Sequence, residues 1–303
     1  MTAIPQTRAP LVANFICMLS MLVWAAGLPA ADLLIGKVPP LQLTAARMAM
    51  AALVLLPLWL ALEGWAPLKS ARWGKGILIG GLSIGLGAFM LVIGQSMTGS
   101  VTVAIISASM PLIGIAIEVL LDGRKLTFAL IFGLILALIG GVMALGSGAT
   151  SVNLGLGALF CFASVLTFTV GSRLTVTAFP DLTPMGRTTV TLTGAAILTS
   201  LAALIHVGIG AQTPDWALLG WREFGALAVF AIGGLAISQV LWIMSVGQLG
   251  IGLASLHINA TPFYVMLILF AFGAAWSWPQ AIAAAVVGLG VVIAQGMFTP
   301  NRT

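Results

Sequence analysis

Charged residues are scarce in this sequence. Asp, Glu, Lys and Arg together make up 6% of the 303 residues, whereas about a quarter of a soluble domain is charged. Hydrophobic residues make up 60%, and the mean hydropathy is +1.17. A chain of this composition cannot cover its surface with charge. An ordinary water-soluble domain is therefore excluded, and many apolar side chains must face lipid.

The chain also lacks the alternation of apolar and polar residues that is typical of the strands of membrane barrels. It has long uninterrupted apolar runs instead. Because lipid offers no hydrogen bonds to the backbone, only helices and closed barrels cross a membrane. The sequence therefore predicts an all-α integral membrane protein, with the lipid bilayer as a partner.

Residues that build catalytic and metal sites are few: two cysteines, two histidines, and seven Asp or Glu. Cys17 and Cys161 lie inside apolar runs, where cysteine usually acts as a small buried hydrophobe. The sequence contains no His-Glu-x-x-His pattern and no pair of intramembrane aspartates. We therefore expect no enzyme, no cofactor and no metal. An intramembrane enzyme that uses a serine with a histidine stays the alternative from another class.

A membrane-spanning helix needs about twenty apolar residues, and the chain contains ten runs of that length. The connections between them are short, which leaves no room for a separate soluble domain. We read the first run as a retained helix, because further spans follow it. The runs cover residues 11–31, 41–62, 75–96, 99–121, 126–147, 152–178, 182–208, 224–246, 250–273 and 279–298.

The basic residues predict the orientation. They give a formal net charge of +5, but they are spread between the apolar runs, so no nucleic-acid partner is expected. Short cytoplasmic loops are enriched in Lys and Arg. With a cytoplasmic N-terminus, most of these residues fall inside the cell, so we predict that both termini are cytoplasmic. The cytoplasmic set is Arg8, Lys69, Arg72, Lys75, Arg124, Lys125, Arg173, Arg187 and Arg302, against Lys37, Arg47 and Arg222 outside.

An internal repeat relates the two halves of the chain. A shift of 140 residues aligns the motif Pro-x6-Arg at 40–47 with the same motif at 180–187. A shift of 151 residues then aligns Pro111 with Pro262. An ordered series of such matches indicates two homologous five-helix halves.

Because five is an odd number of spans, the second half enters the membrane from the opposite side. We therefore predict two inverted repeats, residues 1–149 and residues 150–303. Inverted repeats let a transporter open alternately to either face around one central site.

These features resemble the EamA-type drug/metabolite transporters: the doubled Pro-x6-Arg motif, the mid-span prolines and the small-residue last span of each half. The resemblance covers nearly the whole chain. Loop 121–127 is similar to the acidic turn of that family, whereas residues 274–279 in the second half contain no acid. Residues 21–26 and 168–173 look most like YddG-type amino-acid exporters. The resemblance implies a multi-pass transporter of the inner (plasma) membrane.

Polar and aromatic side chains inside the spans are candidates for a central binding cavity. Ser107 precedes Pro111, and His257 and Asn259 precede Pro262, so polar residues and helix breaks coincide in both halves. A lone membrane histidine also serves as a packing residue, and that interpretation stays open. The substrate-binding candidates are Trp24, Ser107, Met110, Ser164, Phe168, Gln239, Trp242, His257, Asn259 and Tyr264.

Arg47 and Arg187 lie a turn or two inside their spans. A charged side chain there is unfavourable, by about 2.5 kcal/mol or more at the bilayer centre, so another interaction must compensate for it. Two interpretations stay open. Each arginine either snorkels to the interface and caps nearby carbonyls, or it braces a gate or meets a substrate carboxylate.

The pattern favours transport over other membrane functions. A scaffold does not need inverted repeats with matched prolines, and the sequence has no carbonyl filter or ring of charge typical of channels. A nucleotide-sugar carrier would need more cations than the two arginines and His257. We predict an exporter of aromatic and other neutral or zwitterionic amino acids that works by alternating access. A multidrug or other small-metabolite exporter is the alternative, and the sequence is compatible with a monomer.

Overall fold

The computed structural model describes residues 8–98, 103, 106–146, 155–271, 273 and 275–294, and these residues form a bundle of helices. The described part of the chain contains no β-strand, only an isolated bridge between Ile35 and Val38. The helices are α1 (Arg8–Asp32), α2 (Pro40–Glu63), α3 (Trp65–Ser70), α4 (Trp73–Thr98), α5 (Met110–Asp122), α6 (Phe128–Gly146), α7 (Leu156–Thr177), α8 (Pro184–Gly208), α9 (Trp221–Ala260), α10 (Thr261–Ala271) and α11 (Trp278–Ala294).

Within this described part, six helices are long and apolar enough to cross a membrane by length and composition, namely α1, α2, α4, α7, α8 and α9. Shorter apolar helices accompany them in α6 and α11. The all-helical, multi-pass membrane architecture is thus confirmed. Each of the ten predicted runs contains a helix, but the count of ten spans and the cytoplasmic termini stay predictions.

Helix α9 is divided at Gly250, whose φ of 79° and ψ of 163° interrupt its helical geometry. Residues 256–260 then form a 3₁₀ segment that leads into α10. The break falls at the first residue of the predicted span 250–273, shortly after the end of the predicted span 224–246. The long α9 is therefore made of two helical stretches with different directions.

Glycines let α4 approach α8 at backbone distance. A Cβ atom added to Gly80 would overlap the carbonyl oxygen of Thr191 and lie 2.9 Å from the amide nitrogen of Ala195. Small residues of this kind allow helices to pack closely in membranes, where dispersion contacts and not the hydrophobic effect hold them together. The contact joins one helix of each half of the chain, and it supports the walls of the cavity described below.

Two π-helical segments interrupt the long helices α4 and α9. They cover Gly80–Gly85 and Val229–Ile237. The two segments lie about 150 residues apart, which is the spacing of the repeated sequence motifs. Because a π-helix shifts the backbone hydrogen bonds from four residues to five, carbonyl groups near its ends become available to side chains.

Polar contacts join the loops at one end of the bundle, which we call the basic end, defined by Arg72, Arg124, Arg173 and Arg187. There Arg72 donates to the carbonyl oxygen of Ala178 at 2.9 Å. Arg173 donates from Nε to Asp122 at 3.1 Å, and Arg124 pairs with Glu118. Four residues of the predicted cytoplasmic set thus lie together.

The opposite end of the bundle carries a different set of contacts. Lys37 pairs with Glu223 at 2.6 Å, and Gln42 donates to the carbonyl oxygen of Gln212 at 3.3 Å. Lys37 belongs to the predicted outer set. Four arginines of the predicted cytoplasmic set and Lys37 of the predicted outer set thus lie at opposite ends of the bundle, whereas Arg47 of the outer set lines the cavity described below. Which end faces the cytoplasm stays a prediction.

Candidate functional site

A cavity lies near the middle of the bundle, between helices of both halves of the chain. The centre of a water molecule can reach about 80 Å³ of it. The walls are mostly apolar, with one charged side chain and a few polar ones. The lining residues are Ser20, Met21, Trp24, Arg47, Met48, Ile84, Ala88, Leu91, Ser107, Met110, Ser164, Val165, Phe168, Gly234, Leu235, Ser238, Gln239, Trp242 and Ile258.

One wall of the cavity is aromatic. Phe168 on α7 and Trp242 on α9 stack with their ring centroids 6.2 Å apart and their planes at 27°. The indole Nε1 of Trp242 donates to Oγ of Ser172 at 2.9 Å, so the ring is fixed to α7 and its polar atom is satisfied. This wall offers a flat apolar surface to a bound molecule.

Arg47 supplies the only charged side chain of the cavity lining. It is 97% buried, with 3% of its surface exposed. Its Nε donates to the carbonyl oxygen of Phe230 at 3.2 Å, and its Nη2 donates to that of Gly234 at 3.2 Å. Its Cζ also lies 3.8 Å from the centroid of the Phe230 ring. The π-helical part of α9 thus provides both the carbonyls and the ring that hold the guanidinium.

Serines on α1 and α9 connect these two helices beside the cavity. The hydroxyl of Ser20 donates to the carbonyl oxygen of Ser238 at 2.8 Å, and that of Ser238 donates to Gly234 at 2.9 Å. The next residue after Ser238, Gln239, is 3% exposed, and its Nε2 has no hydrogen-bond partner among the described residues. The cavity therefore contains one buried amide donor that its own walls leave unsatisfied.

Most of the sequence-predicted candidates come together in this cavity. They are Trp24, Ser107, Met110, Ser164, Phe168, Gln239 and Trp242, together with Arg47 from the pair of arginines. They come from α1, α2, α5, α7 and α9, except that Ser107 belongs to the helical residues 106–107 just before the turn that precedes α5. The structure brings these side chains together, and their role in binding a substrate stays a prediction.

His257 and Tyr264 lie elsewhere. They line a second cavity between α1, α10 and α11, in which the centre of a water molecule can reach about 620 Å³. The Nδ1 atom of His257 lies 3.2 Å from the carbonyl oxygen of Ala254. The expected grouping of His257 and Tyr264 with the central site is therefore not seen, because the 3₁₀ segment turns His257 away from the face that Ile258 presents to the central cavity.

Asn259 occupies a third environment. It is 1% exposed, and neither its Nδ2 nor its Oδ1 has a hydrogen-bond partner within the described ranges. It belongs to the lining of neither of these two cavities. The two polar residues predicted before Pro262 thus lie in two different environments instead of facing one site.

Arg187 is held by its own half of the chain. Its Nε donates to the carbonyl oxygen of Phe179 at 2.8 Å, and its Nη2 donates to that of Pro180 at 3.0 Å. These contacts correspond to the carbonyl-capping interpretation. Arg47, by contrast, joins α2 of the first half to α9 of the second, so the two motif arginines have different surroundings in this structure.

The prolines mark helix starts. Pro111 and Pro262 are each the second residue of a helix, α5 and α10, where a missing backbone N–H costs nothing. Before them lie a turn at 108–109 and the 3₁₀ segment at 256–260. An α-helix thus starts beside each of the two prolines, and their role as helix breaks at a binding site stays a prediction.

Sequence reasoning missed several lining residues, and helical spacing could have found some of them. Ser20 lies four residues before Trp24, and Leu235 lies four residues before Gln239, so each shares a helix face with a predicted residue. Ile84 and Ala88 on α4 carry no polar signal. Their position follows from the packing of α4 against α8 and is not visible in the sequence.

Glu118 fixes the divided region of α9 from outside the cavity. Its Oε1 accepts a hydrogen bond of 2.9 Å from the backbone N–H of Gly252, just after the break at Gly250, and it also pairs with Arg124. A carboxylate at the start of a helical stretch satisfies a free N–H and matches the helix dipole. Glu118 therefore has a structural role that links α5 to α9.

A multi-pass helical bundle with a small central cavity, walled by helices of both halves, is the architecture expected of a membrane solute carrier. The model of the EamA-like transporter family matches residues 11–146 of this chain. This match, which covers less than half of the chain, and the curated relative named below support a place in the EamA-like transporter family of the drug/metabolite transporter superfamily. They point to a transporter and not to an enzyme.

Two further comparisons extend over most of the chain. It is 24% identical over 270 residues to "Uncharacterized transporter YyaM" of Bacillus subtilis (strain 168), covering 87% of each chain. A solved structure described as "Crystal structure of protein" matches with a TM-score of 0.75 and 23% identity. That match covers 94% of this chain and 97% of the other. At this identity the structural match supports the fold alone.

Proposed function

We propose that this protein exports amino acids, aromatic and other neutral or zwitterionic ones, across the inner (plasma) membrane. The observation that carries the proposal is the central cavity, which is enclosed by helices of both halves and lined by apolar, aromatic and a few polar side chains. Transporters built from repeats bind their solute at such a place, between the repeats near the middle of the membrane.

The size of the cavity favours a small solute. A water molecule occupies roughly 10–15 Å³ on this measure, so the 80 Å³ of the cavity correspond to about six water molecules. A small amino acid has a similar number of non-hydrogen atoms, and an aromatic one has more, so its binding requires a state in which the cavity is wider. Its side chain would pack against Phe168 and Trp242, and its polar groups would face Arg47, Gln239 and the serines.

Matched features of the two halves support alternating access. The π-helical segments and the helix-starting prolines recur at a spacing of about 150 residues. Arg47 binds across the two halves, whereas Arg187 binds within its own. We interpret this difference as two states of the same motif. One of the two arginines lies on the closed side of the transporter, and the other lies on the open side.

A lipophilic-drug exporter of the same superfamily is the second candidate, and the aromatic wall of Phe168 and Trp242 favours it. The two functions differ in what the solute must carry. A drug exporter would accept large apolar cations, whereas an amino-acid exporter needs a place for a carboxylate. The buried guanidinium of Arg47 favours the amino acid.

Counterflow in proteoliposomes that contain only this protein tests the proposal. Vesicles loaded with one unlabelled amino acid are diluted into traces of the labelled form, for a panel of neutral, aromatic, acidic and basic amino acids and a lipophilic dye. We expect accumulation of neutral and aromatic amino acids above empty vesicles. Accumulation of the dye alone would favour the second candidate, and no accumulation of any amino acid would refute the first.

A further inference from the structure

We propose that Arg47 and Gln239 form a carboxylate-binding subsite on the wall of the central cavity where α2 meets α9. The subsite would bind the carboxylate of the transported solute. This inference rests on the proposed function, since it names the group by which that function would recognise its substrate.

The charge of Arg47 is not neutralised by the protein. No carboxylate oxygen of a described residue lies within 4.0 Å of its guanidinium, and the lining of the cavity contains no Asp, Glu, Lys or His. Its contacts are two carbonyl dipoles and the face of Phe230. A buried cation with dipoles alone as partners leaves a site that favours an anion.

The guanidinium also keeps donor capacity. Its contacts with the two carbonyls use Nε and Nη2, and Nη1 donates no hydrogen bond to a described residue. An arginine has five N–H groups in a planar fork that suits the two oxygens of a carboxylate. Arg47 is therefore fixed in place by part of the fork and free to bind with the rest.

Gln239 supplies a second, independent sign of a missing acceptor. It is 97% buried and lines the same cavity, and its Nε2 has no partner among the described residues. A buried donor without an acceptor costs about 1–3 kcal/mol, so the position indicates an acceptor that arrives from outside the chain. A carboxylate would satisfy this donor and the arginine together.

The π-helical segment of α9 connects the surroundings of the two donors. Arg47 binds the carbonyl oxygen of Gly234 inside this segment, and Gln239 lies two residues after the end of the segment at Ile237. Both side chains line the same cavity. The subsite thus combines a fixed cation with a neutral donor, and it disfavours cations that lack a carboxylate.

A ligand series tests the subsite on the purified full-length protein in detergent. The probes are L-phenylalanine, phenethylamine, which lacks the carboxylate, and 3-phenylpropanoate, which lacks the amine. Ligand-induced thermal stabilisation is titrated for each. Charge-assisted hydrogen bonds predict binding about tenfold or more weaker for phenethylamine than for the two carboxylates. Equal or tighter binding of phenethylamine would overturn the proposal.

Variants then separate the subsite from a purely structural role of Arg47. Gln239→Leu removes the free donor without touching the arginine, and Gln239→Glu places a carboxylate beside it. We expect both to weaken 3-phenylpropanoate about tenfold or more. As a matched control, Gln95→Leu removes another buried glutamine, which donates to Asp32 outside the cavity, and should leave binding unchanged. Unchanged affinity in both Gln239 variants would overturn the proposal.

Acetate keeps the test independent of amino-acid transport. If no amino acid is transported, the proposed function fails. A subsite for a bare carboxylate would still be detectable, because acetate would raise the melting temperature of the wild type more than it raises the melting temperature of Gln239→Glu. Equal acetate effects in the two proteins would refute the subsite, even in a protein that transports amino acids.

Discussion

Replacing Gly250 by alanine should destabilise the protein by about 2–4 kcal/mol. The φ of 79° and ψ of 163° lie in a region that only glycine adopts readily, and other residues there are strained by about 1–3 kcal/mol. An added Cβ would also overlap the carboxylate of Glu118, which accepts the N–H of Gly252. Losing that buried hydrogen bond costs about 1 kcal/mol more.

Gly247 provides a matched control in the same helix. A Cβ added there would lie 3.7 Å from Nη1 of Arg187 and 4.0 Å from Val176, which are ordinary contacts. Because alanine favours a helix over glycine by about 1 kcal/mol, Gly247→Ala should be neutral or stabilising. The two variants differ only in the position of one methyl group, three residues apart.

Thermal unfolding of the purified variants in one detergent measures the difference. On the scale of about 2–4 °C per kcal/mol for domains of 150–250 residues, Gly250→Ala should melt about 5 °C or more below the wild type. Gly247→Ala should melt at or above it. Equal melting temperatures for the two variants would show that the chain does not turn at Gly250 and would remove the main structural reason for separating spans eight and nine.

Three further predictions concern packing, charge and topology. Trp242→Phe should lose the hydrogen bond to α7 and about 1–2 kcal/mol of stability, measured by the same thermal assay. The hydrogen bond from Arg173 lowers the pKa of Asp122, so the pair stabilises the fold above the unfolded pKa of about 3.9. This contribution is lost as the pH falls through the folded pKa, and Asp122→Asn should therefore flatten the acid side of a profile of melting temperature against pH. A profile that is the same in the variant and the wild type would contradict this prediction. Both native cysteines are buried, so a single added cysteine, Lys69→Cys or Trp216→Cys, can be labelled selectively in whole cells. An impermeant maleimide should react only with Trp216→Cys. Reaction with Lys69→Cys alone would overturn the predicted orientation of the chain in the membrane.

The sequence was sufficient for the positions of the helices. Runs of apolar residues set where a membrane helix lies, because the backbone must be satisfied within each segment. The first predicted runs, 11–31 and 41–62, agree with α1 and α2 within a few residues. Large side chains in mid-span, such as Trp24 and Trp242, were also recognisable as cavity candidates because the membrane surface could not explain them.

The rest of the site depends on backbone geometry that the sequence does not encode locally. The π-helical segment of α9 contains the carbonyls that bind Arg47, and the apolar run alone predicts an ordinary α-helix there. The 3₁₀ segment at 256–260 separates His257 from Ile258, so His257 lines the second cavity and not the central one in which the prediction placed it.

Transport through the central cavity is most directly tested by filling that cavity. Ala88 on α4 lines it, whereas Leu86, two residues earlier, is 39% exposed on the outer surface of the bundle. Ala88→Phe adds an aromatic ring to a space of only about 80 Å³, and Leu86→Phe adds similar bulk outside.

Counterflow of a labelled neutral amino acid is measured for both variants at equal amounts of folded protein, checked by gel filtration. A carrier that binds its solute in this cavity predicts that Ala88→Phe abolishes counterflow and that Leu86→Phe keeps the wild-type rate. Wild-type counterflow in Ala88→Phe would show that the solute crosses the protein by another route.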